Sequence, residues 1–179
     1  ADPALAEVTL KLAAWQGDRA LFDELRRRFE SAQAPGERSR FLTALAYFRD
    51  LALSSEALRY SLEGPLRTSE RFLIAAEMLR SGERGAGQVF DWFRANYDRI
   101  AALLPPAIQG FFPNLASGCS AERLARAREL FNQPGHSVPG TAERLAQVTA
   151  ETNLCVALRE SEGPAIEAYL EGDGRRGPG

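Results

Sequence analysis

The side chains that most often carry chemistry are few here and far apart. His136 is the only histidine of the 179-residue chain and lies in the run Gln133-Pro134-Gly135-His136-Ser137-Val138-Pro139-Gly140. A zinc hydrolase takes about three protein ligands, commonly two histidines and a carboxylate, with one position left open for water. One histidine cannot supply that set, nor an H-E-x-x-H pair. No G-x-S-x-G turn accompanies a serine, so nucleophilic catalysis with a histidine base has no support either. His136 therefore reads as an ordinary surface histidine.

The other chemical candidates fall in the same way. Cys119 and Cys155 are the only cysteines and form no C-x-x-C. Cys155 sits within an apolar helical stretch, which predicts a buried free thiol and fits a reducing cytoplasm. Gly82-Glu83-Arg84-Gly85-Ala86-Gly87 is rich in glycine but follows a helical pattern and lacks the Gly-Lys-Ser/Thr of a phosphate loop, which predicts a turn between helices. Glu160 and Glu162 lie at a surface-type helix end. The expectation is a chain with no catalytic residue, no metal ligand and no cofactor of its own.

Composition narrows the field further. Apolar residues make up 45% and charged residues 26%, and the net charge is −2, so no overall field recruits nucleic acid or an acidic membrane. Lys11 is the only lysine among 22 basic residues. No apolar run approaches the roughly 20 residues of a membrane span, and the first residues lack the pattern of a secretion signal.

The elements that would have to position any site are helices. Sustained apolar/polar alternation is absent. Asp2-Pro3 reads as a cap and first turn, opening a helix to about Gln16. Asp18 caps a second helix whose Leu21, Phe22, Leu25 and Phe29 share one face, with Arg26, Arg27 and Arg28 as solvated charge. Phe41, Leu42, Leu45 and Phe48 mark the next. Asp50 caps a helix to Leu62, and Thr68 or Ser69 caps one carrying Phe72, Leu73, Ala76 and Leu79. Val89, Phe90 and Phe93 lie inside residues 86–96, and residues 97–104 continue helical.

Pro105-Pro106 breaks the chain ahead of a helix over residues 107–116. Ser120 caps a helix through Phe131. Thr141 caps the longest, to about Ser161, with Leu145, Val148, Cys155 and Leu158 turned inward. Gly163-Pro164 restarts a last short helix over residues 165–170. The pattern predicts an all-α fold of paired antiparallel helices. The first six recur in pairs about 30–35 residues apart, as in HEAT- or armadillo-like α-solenoids. Residues 1–172 read as one helical-repeat domain and 173–179 as a disordered tail.

The segment Gln88-Val89-Phe90-Asp91-Trp92-Phe93-Arg94-Ala95-Asn96-Tyr97-Asp98 resembles one in the C-terminal helical domain of gluzincin zinc aminopeptidases, the aminopeptidase N family, which includes the endoplasmic-reticulum and puromycin-sensitive enzymes. Trp92 stands beside Asp91, and Asn96-Tyr97 takes the place of an Asn-Trp pair. The small-residue stretch 115–120, the helix ending Glu129-Leu130-Phe131, and the last segment 165–170 follow in the family's order.

The resemblance implies a helical domain that covers a separate, upstream catalytic domain of the same polypeptide. Zinc and the H-E-x-x-H motif belong to that domain, and the helical part gates and positions peptide substrates. Arg49, Arg67 and Arg71, near predicted turns, are the expected substrate-binding residues, because planar guanidinium groups suit a peptide carboxylate. A stand-alone helical scaffold that binds a protein or peptide is the alternative. Neither reading expects nucleic acid or a membrane as partner.

Overall fold

The structure is a computed structural model and describes residues 3–173. The cap expected at Asp2 and residues 174–179 of the expected tail lie outside the described residues. Among these there is no strand, and no helix is long and apolar enough to cross a membrane. Ten α-helices follow one another: α1 Pro3–Gln16, α2 Arg19–Ser31, α3 Pro35–Ala44, α4 Leu51–Glu63, α5 Leu73–Arg80, α6 Glu83–Ala95, α7 Tyr97–Ala101, α8 Pro106–Gln109, α9 Ala121–Phe131 and α10 Thr141–Asp173. Two 3-10 segments, Leu45–Tyr47 and Phe112–Ala116, lie between them. The chain divides into two compact units between Tyr97 and Asp98.

In the first unit consecutive helices pair, α2 on α3 and α5 on α6. Asp18 starts α2 by accepting from the Leu21 amide at 3.1 Å, and Asp50 starts α4 by accepting from Ala52 and Leu53 at 2.8 and 3.0 Å. Each satisfies amides that have no partner inside the first helical turn. The buried faces carry Phe22, Leu25 and Phe29 of α2, Leu53 and Leu58 of α4, Ile74 and Met78 of α5, and Val89, Phe90 and Phe93 of α6. The 3.6-residue period marked those of α2 and α6, whereas on α5 the expected Phe72, Leu73, Ala76 and Leu79 are only half-buried and Ile74 and Met78 take the core. Phe22 meets Phe48 edge to face at 5.3 Å between ring centres. Asn96 closes α6, its side-chain amide donating to the Trp92 carbonyl at 2.8 Å.

Two boundaries differ from expectation. The helix expected through Phe48 tightens to 3-10 at Leu45–Tyr47, and Phe48 itself is extended. Neither Thr68 nor Ser69 caps α5, which begins at Leu73. The carboxylate of Glu70 accepts from the Arg67 amide at 2.8 Å and pairs with Arg38, holding residues 68–72 as turns.

Gly85 marks a close approach between α5 and α6. A Cβ there would strike the Met78 carbonyl oxygen and Ser81 Oγ, and a backbone carbonyl cannot swing aside as a side chain can. Overpacking costs about 1–3 kcal/mol, against a gain of about 1 kcal/mol in helix propensity for alanine over glycine. Gly85→Ala is therefore expected to lower stability in urea denaturation. Gly87→Ala, two residues on with nothing within 4 Å of its Cβ, should leave stability unchanged or slightly raised. Equal effects at both positions would contradict the packing seen here.

In the second unit the prolines act as expected, but the following helix breaks in two. Gln109 donates to the carbonyls of Ala101 and Leu104 at 3.0 and 2.9 Å, satisfying groups that the Pro105-Pro106 break leaves open. After α8, Gly110 lies so close to the loop before α10 that a Cβ would stand 2.7 Å from the Pro139 oxygen. Pro113 has no amide to continue the ladder, and Phe112–Ala116 is 3-10. Arg123, buried on α9, donates to the Ala116 and Ser117 carbonyls at 3.2 and 2.8 Å and holds this segment.

Three further expectations are corrected in this unit. First, Cys119 and Cys155 are not free thiols but a disulfide, with Cα atoms 5.2 Å apart. The α9–loop–α10 hairpin returns the chain to its starting point across 36 positions, a proximity that local spacing does not reveal. Second, α10 is continuous through Pro164 rather than restarting there. Proline deprives the Glu160 carbonyl of its donor, but Glu160 is exposed to water. Third, Leu158 does not point inward: it is 52% exposed, whereas Val148 is buried. Beyond Val156 none of the described α10 residues is buried. Asp173, assigned to the tail, ends this helix.

Candidate functional site

Most arginines of the first unit are already engaged. Arg26 pairs with Glu56 at 3.2 Å, and Arg27 and Arg28 both hold Glu24. A shallow depression formed by Arg26, Glu56, Arg59, Tyr60 and Glu63 is thus lined by charges that meet one another, with Arg59 and Glu63 3.8 Å apart. Little remains there for a charged ligand.

A second depression differs. It is a cavity of about 180 Å³ where the end of α1, the 3-10 segment, α5 and the start of α6 meet, and Trp15, Tyr47, Phe48, Arg49, Met78 and Arg84 line it. Arg49 stands at the turn ahead of α4, and its guanidinium lies 5.1 Å from the centre of the Trp15 ring. Arg84 reaches from the first turn of α6 and donates to the Arg49 carbonyl at 2.7 Å. Neither arginine is ion-paired among the described residues. Gln88, one turn along α6, donates to Ser54 Oγ at 2.8 Å and fixes that wall against α4.

The floor is apolar and neutral. Phe48 and Met78 are buried, and Tyr47 donates its hydroxyl to Glu77 at 2.8 Å. Burial and that hydrogen bond both push the Tyr47 phenol above its ordinary value, so it stays uncharged at neutral pH. The geometry suits a ligand with a small apolar part and an anionic end, since an unpaired guanidinium offers a two-pronged donor to a carboxylate. The volume is below the roughly 300–1,000 Å³ of pockets that enclose whole small molecules, so it admits one residue's end.

The three arginines singled out in the sequence part company here. Arg49 lies in this cavity. Arg71 is half-buried and donates to the Leu62 and Ser61 carbonyls at 2.9 and 3.4 Å, closing the C-terminal end of α4. Arg67 is exposed in the α4–α5 connection, with its amide bound to Glu70. Arg84, Gln88 and Trp15 were not anticipated. The glycine run expected as a turn between helices is helical from Glu83, and so carries Arg84 and Gln88 on the first turns of α6.

His136 is also relocated. Its side chain is only 14% exposed; Nδ1 lies 3.0 Å from the Leu130 carbonyl oxygen and Nε2 3.7 Å from an Asp98 carboxylate oxygen. It docks the loop onto the end of α9 rather than standing free on the surface. Among the described residues no group of three His, Cys, Asp or Glu side chains could hold a metal ion.

A search of the curated proteins finds none that matches. The family model of the ERAP1-like C-terminal domain, a non-catalytic domain of aminopeptidases, matches residues 1–153. That span takes in α1 to α9, the arginine-lined cavity and the first part of α10, so the chain belongs to the ERAP1-like C-terminal domain family.

Proposed function

We propose that this chain is the gating and substrate-positioning part of a zinc aminopeptidase whose catalytic domain lies elsewhere in the same polypeptide. The match over residues 1–153 carries the reading. The cavity adds a concrete role: Arg49 and Arg84, uncommitted to any carboxylate, hold the anionic end of a peptide, and Trp15 and Phe48 take its last apolar side chain. Arg67, exposed beside the α4–α5 turn, is a further contact for longer peptides. Arg71 is held by α4 and serves the fold.

The chain would thereby limit which peptides reach the catalytic zinc without touching the reacting atoms. The test is an aminopeptidase assay on the longer polypeptide with Arg49→Ala, Arg84→Ala and both. A charge-assisted hydrogen bond is worth about 1.5–3 kcal/mol, so each change should raise KM for peptides about tenfold or more. Single-residue anilides, which have no distal carboxylate, should be cleaved at the parental rate. Unchanged KM for every peptide length would reject the cavity as a substrate contact. Kinetics that survive deletion of the whole segment would favour a stand-alone scaffold.

A further inference from the structure

Helix α1 is fixed by little apolar surface. Among its described side chains Ala14 alone is fully buried, with Ala6 and Leu10 half-buried. Two alanines and a leucine remove few methyl groups from water, so apolar burial sets the place of this helix only weakly. Yet α1 carries Trp15, one wall of the arginine cavity. Some other interaction has to hold that wall where it stands.

That interaction is polar and converges on Glu77 of α5. One carboxylate oxygen, Oε2, accepts from the Tyr47 hydroxyl at 2.8 Å and from Lys11 Nζ at 3.3 Å. The other, Oε1, accepts from Arg80 at 2.6 Å. The Glu77 side chain is only 15% exposed, so water competes little for these bonds. Lys11 also lies 5.1 Å from the centre of the Tyr47 ring and pairs with Glu7 at 2.8 Å. Three elements therefore meet at one oxygen: α1 through Lys11, the 3-10 segment through Tyr47, and α5 itself.

Each member of this joint stands beside a residue that lines the cavity. Trp15 follows Lys11 by one helical turn, so the two side chains lie one above the other on α1. Arg49 follows Tyr47 at the end of the 3-10 segment, and Met78, next after Glu77, lines the floor. Tying Lys11 and Tyr47 to one oxygen thus sets Trp15 against Arg49, whose guanidinium lies 5.1 Å from the centre of the indole ring. Two-pronged recognition of a carboxylate tolerates little displacement of its donors or of the wall beside them.

We propose that Glu77 is a positioning residue, which through Lys11 and Tyr47 holds Trp15 and Arg49 at the spacing that receives the apolar, carboxylate-ended terminus of a peptide. This rests on the reading of the cavity as a site for a peptide's end. Glu77 touches no ligand and acts through its two donors alone.

The test uses the 179-residue chain and two probes, a hexapeptide ending in leucine with a free carboxylate and the same peptide as its amide. Calorimetric titration with both gives the acid-over-amide affinity ratio, which for the parent chain should be about tenfold or more. Glu77→Ala should bring the ratio near one. Lys11→Met cuts the α1 side alone and spares the bond from Tyr47; it should lower the ratio several-fold. Glu77→Gln keeps an oxygen acceptor for both donors and should recover most of the parent ratio. Hydrogen exchange, read without peptide, should quicken over residues 10–16 in Glu77→Ala and Lys11→Met and stay parental in α2.

A parent chain that prefers the acid, with the same preference in Glu77→Ala and Lys11→Met, would overturn the positioning role and leave the cavity reading standing. A parent chain with no preference would overturn the cavity reading and this proposal with it. If Glu77→Ala does not fold, Lys11→Met decides alone, and a parental ratio or parental exchange at the end of α1 rejects the proposal. Lower stability with an unchanged ratio rejects it too, because a purely structural contact changes how much protein is folded and not its choice between acid and amide. Glu77→Gln no better than Glu77→Ala would also count against it, since the joint is an oxygen acceptor.

Discussion

Replacing Arg38 by methionine is expected to destabilise the first unit by about 3–5 kcal/mol, the usual cost of breaking a buried ion pair from one side. Arg38 meets Glu70 with two bonds, at 2.9 and 3.1 Å, donates to the Phe29 carbonyl at 3.1 Å, and lies 4.2 Å from the centre of the Phe29 ring. Both side chains are about 10% exposed. The bond set ties the end of α2 to α3 and to the turns before α5. Losing the guanidinium leaves the Glu70 carboxylate buried with the Arg67 amide as its remaining partner. That penalty is a large part of the 5–15 kcal/mol by which whole domains are stable.

The control is the double replacement Arg38→Met with Glu70→Met, which removes both charges and should recover most of the loss in urea denaturation. A double variant no more stable than Arg38→Met would mean that packing, not the unpaired carboxylate, is responsible. The pH dependence has a definite sign. The Arg38 hydrogen bonds and the Arg67 amide hold the Glu70 carboxyl below its ordinary value, against the opposing effect of burial. Its contribution is therefore fully present above the usual carboxylate range and is lost as pH falls through its lowered folded value. The stability gap between parent and Arg38→Met should be widest near neutrality and narrow in acid.

Opening the Cys119–Cys155 bond is the second large effect. It closes a span of 36 positions, for which the chain-entropy treatment gives about 4 kcal/mol. Replacing both cysteines by serine should destabilise the second unit by that order. Hydrogen exchange should quicken in α9 and the first half of α10 and stay unchanged in α2 and α5, which belong to the first unit. Thiol titration of the oxidised protein, unfolded without reductant, should find no free thiol. Two titratable thiols together with unchanged exchange would refute a structural bridge. A formed bond also requires an oxidant, so protein drawn from a reducing cytoplasm should read two thiols before oxidation and none after it.

Much of the helical architecture was legible because its causes are local. Asp18, Asp50 and Ser120 each cap the helix they precede, since a short side-chain acceptor satisfies amides within three residues of itself. Phe22, Leu25 and Phe29, or Val89 and Phe93, are buried because the helical period puts them on one line. The candidate site was only partly legible. Arg49 was named for its residue type and its position near a turn. Arg71 had the same credentials, yet its guanidinium is consumed by the open carbonyls of α4. Type and turn position cannot tell a ligand-binding arginine from a capping one, because the difference lies in which carbonyls happen to stand nearby.

The amino-acid order by itself determined an all-α chain, the buried stripes of α2, α6 and α9, the break at Pro105-Pro106, and a histidine count too low for an H-E-x-x-H pair. Those properties depend on residue type and on spacing within a few turns of helix. Tertiary structure alone decided that Cys119 meets Cys155, that Arg38 is buried against Glu70, that His136 docks on the Leu130 carbonyl, and that Arg84 joins Arg49 over Trp15. Most of these pairings join residues more than 30 positions apart, and even the His136 contact depends on how its loop folds back on α9. It also decided that Leu12 and Leu158 face solvent while Leu25 does not. An apolar residue on a helix face looks the same in sequence whether or not another helix lies against it, and that depends on where the rest of the chain packs.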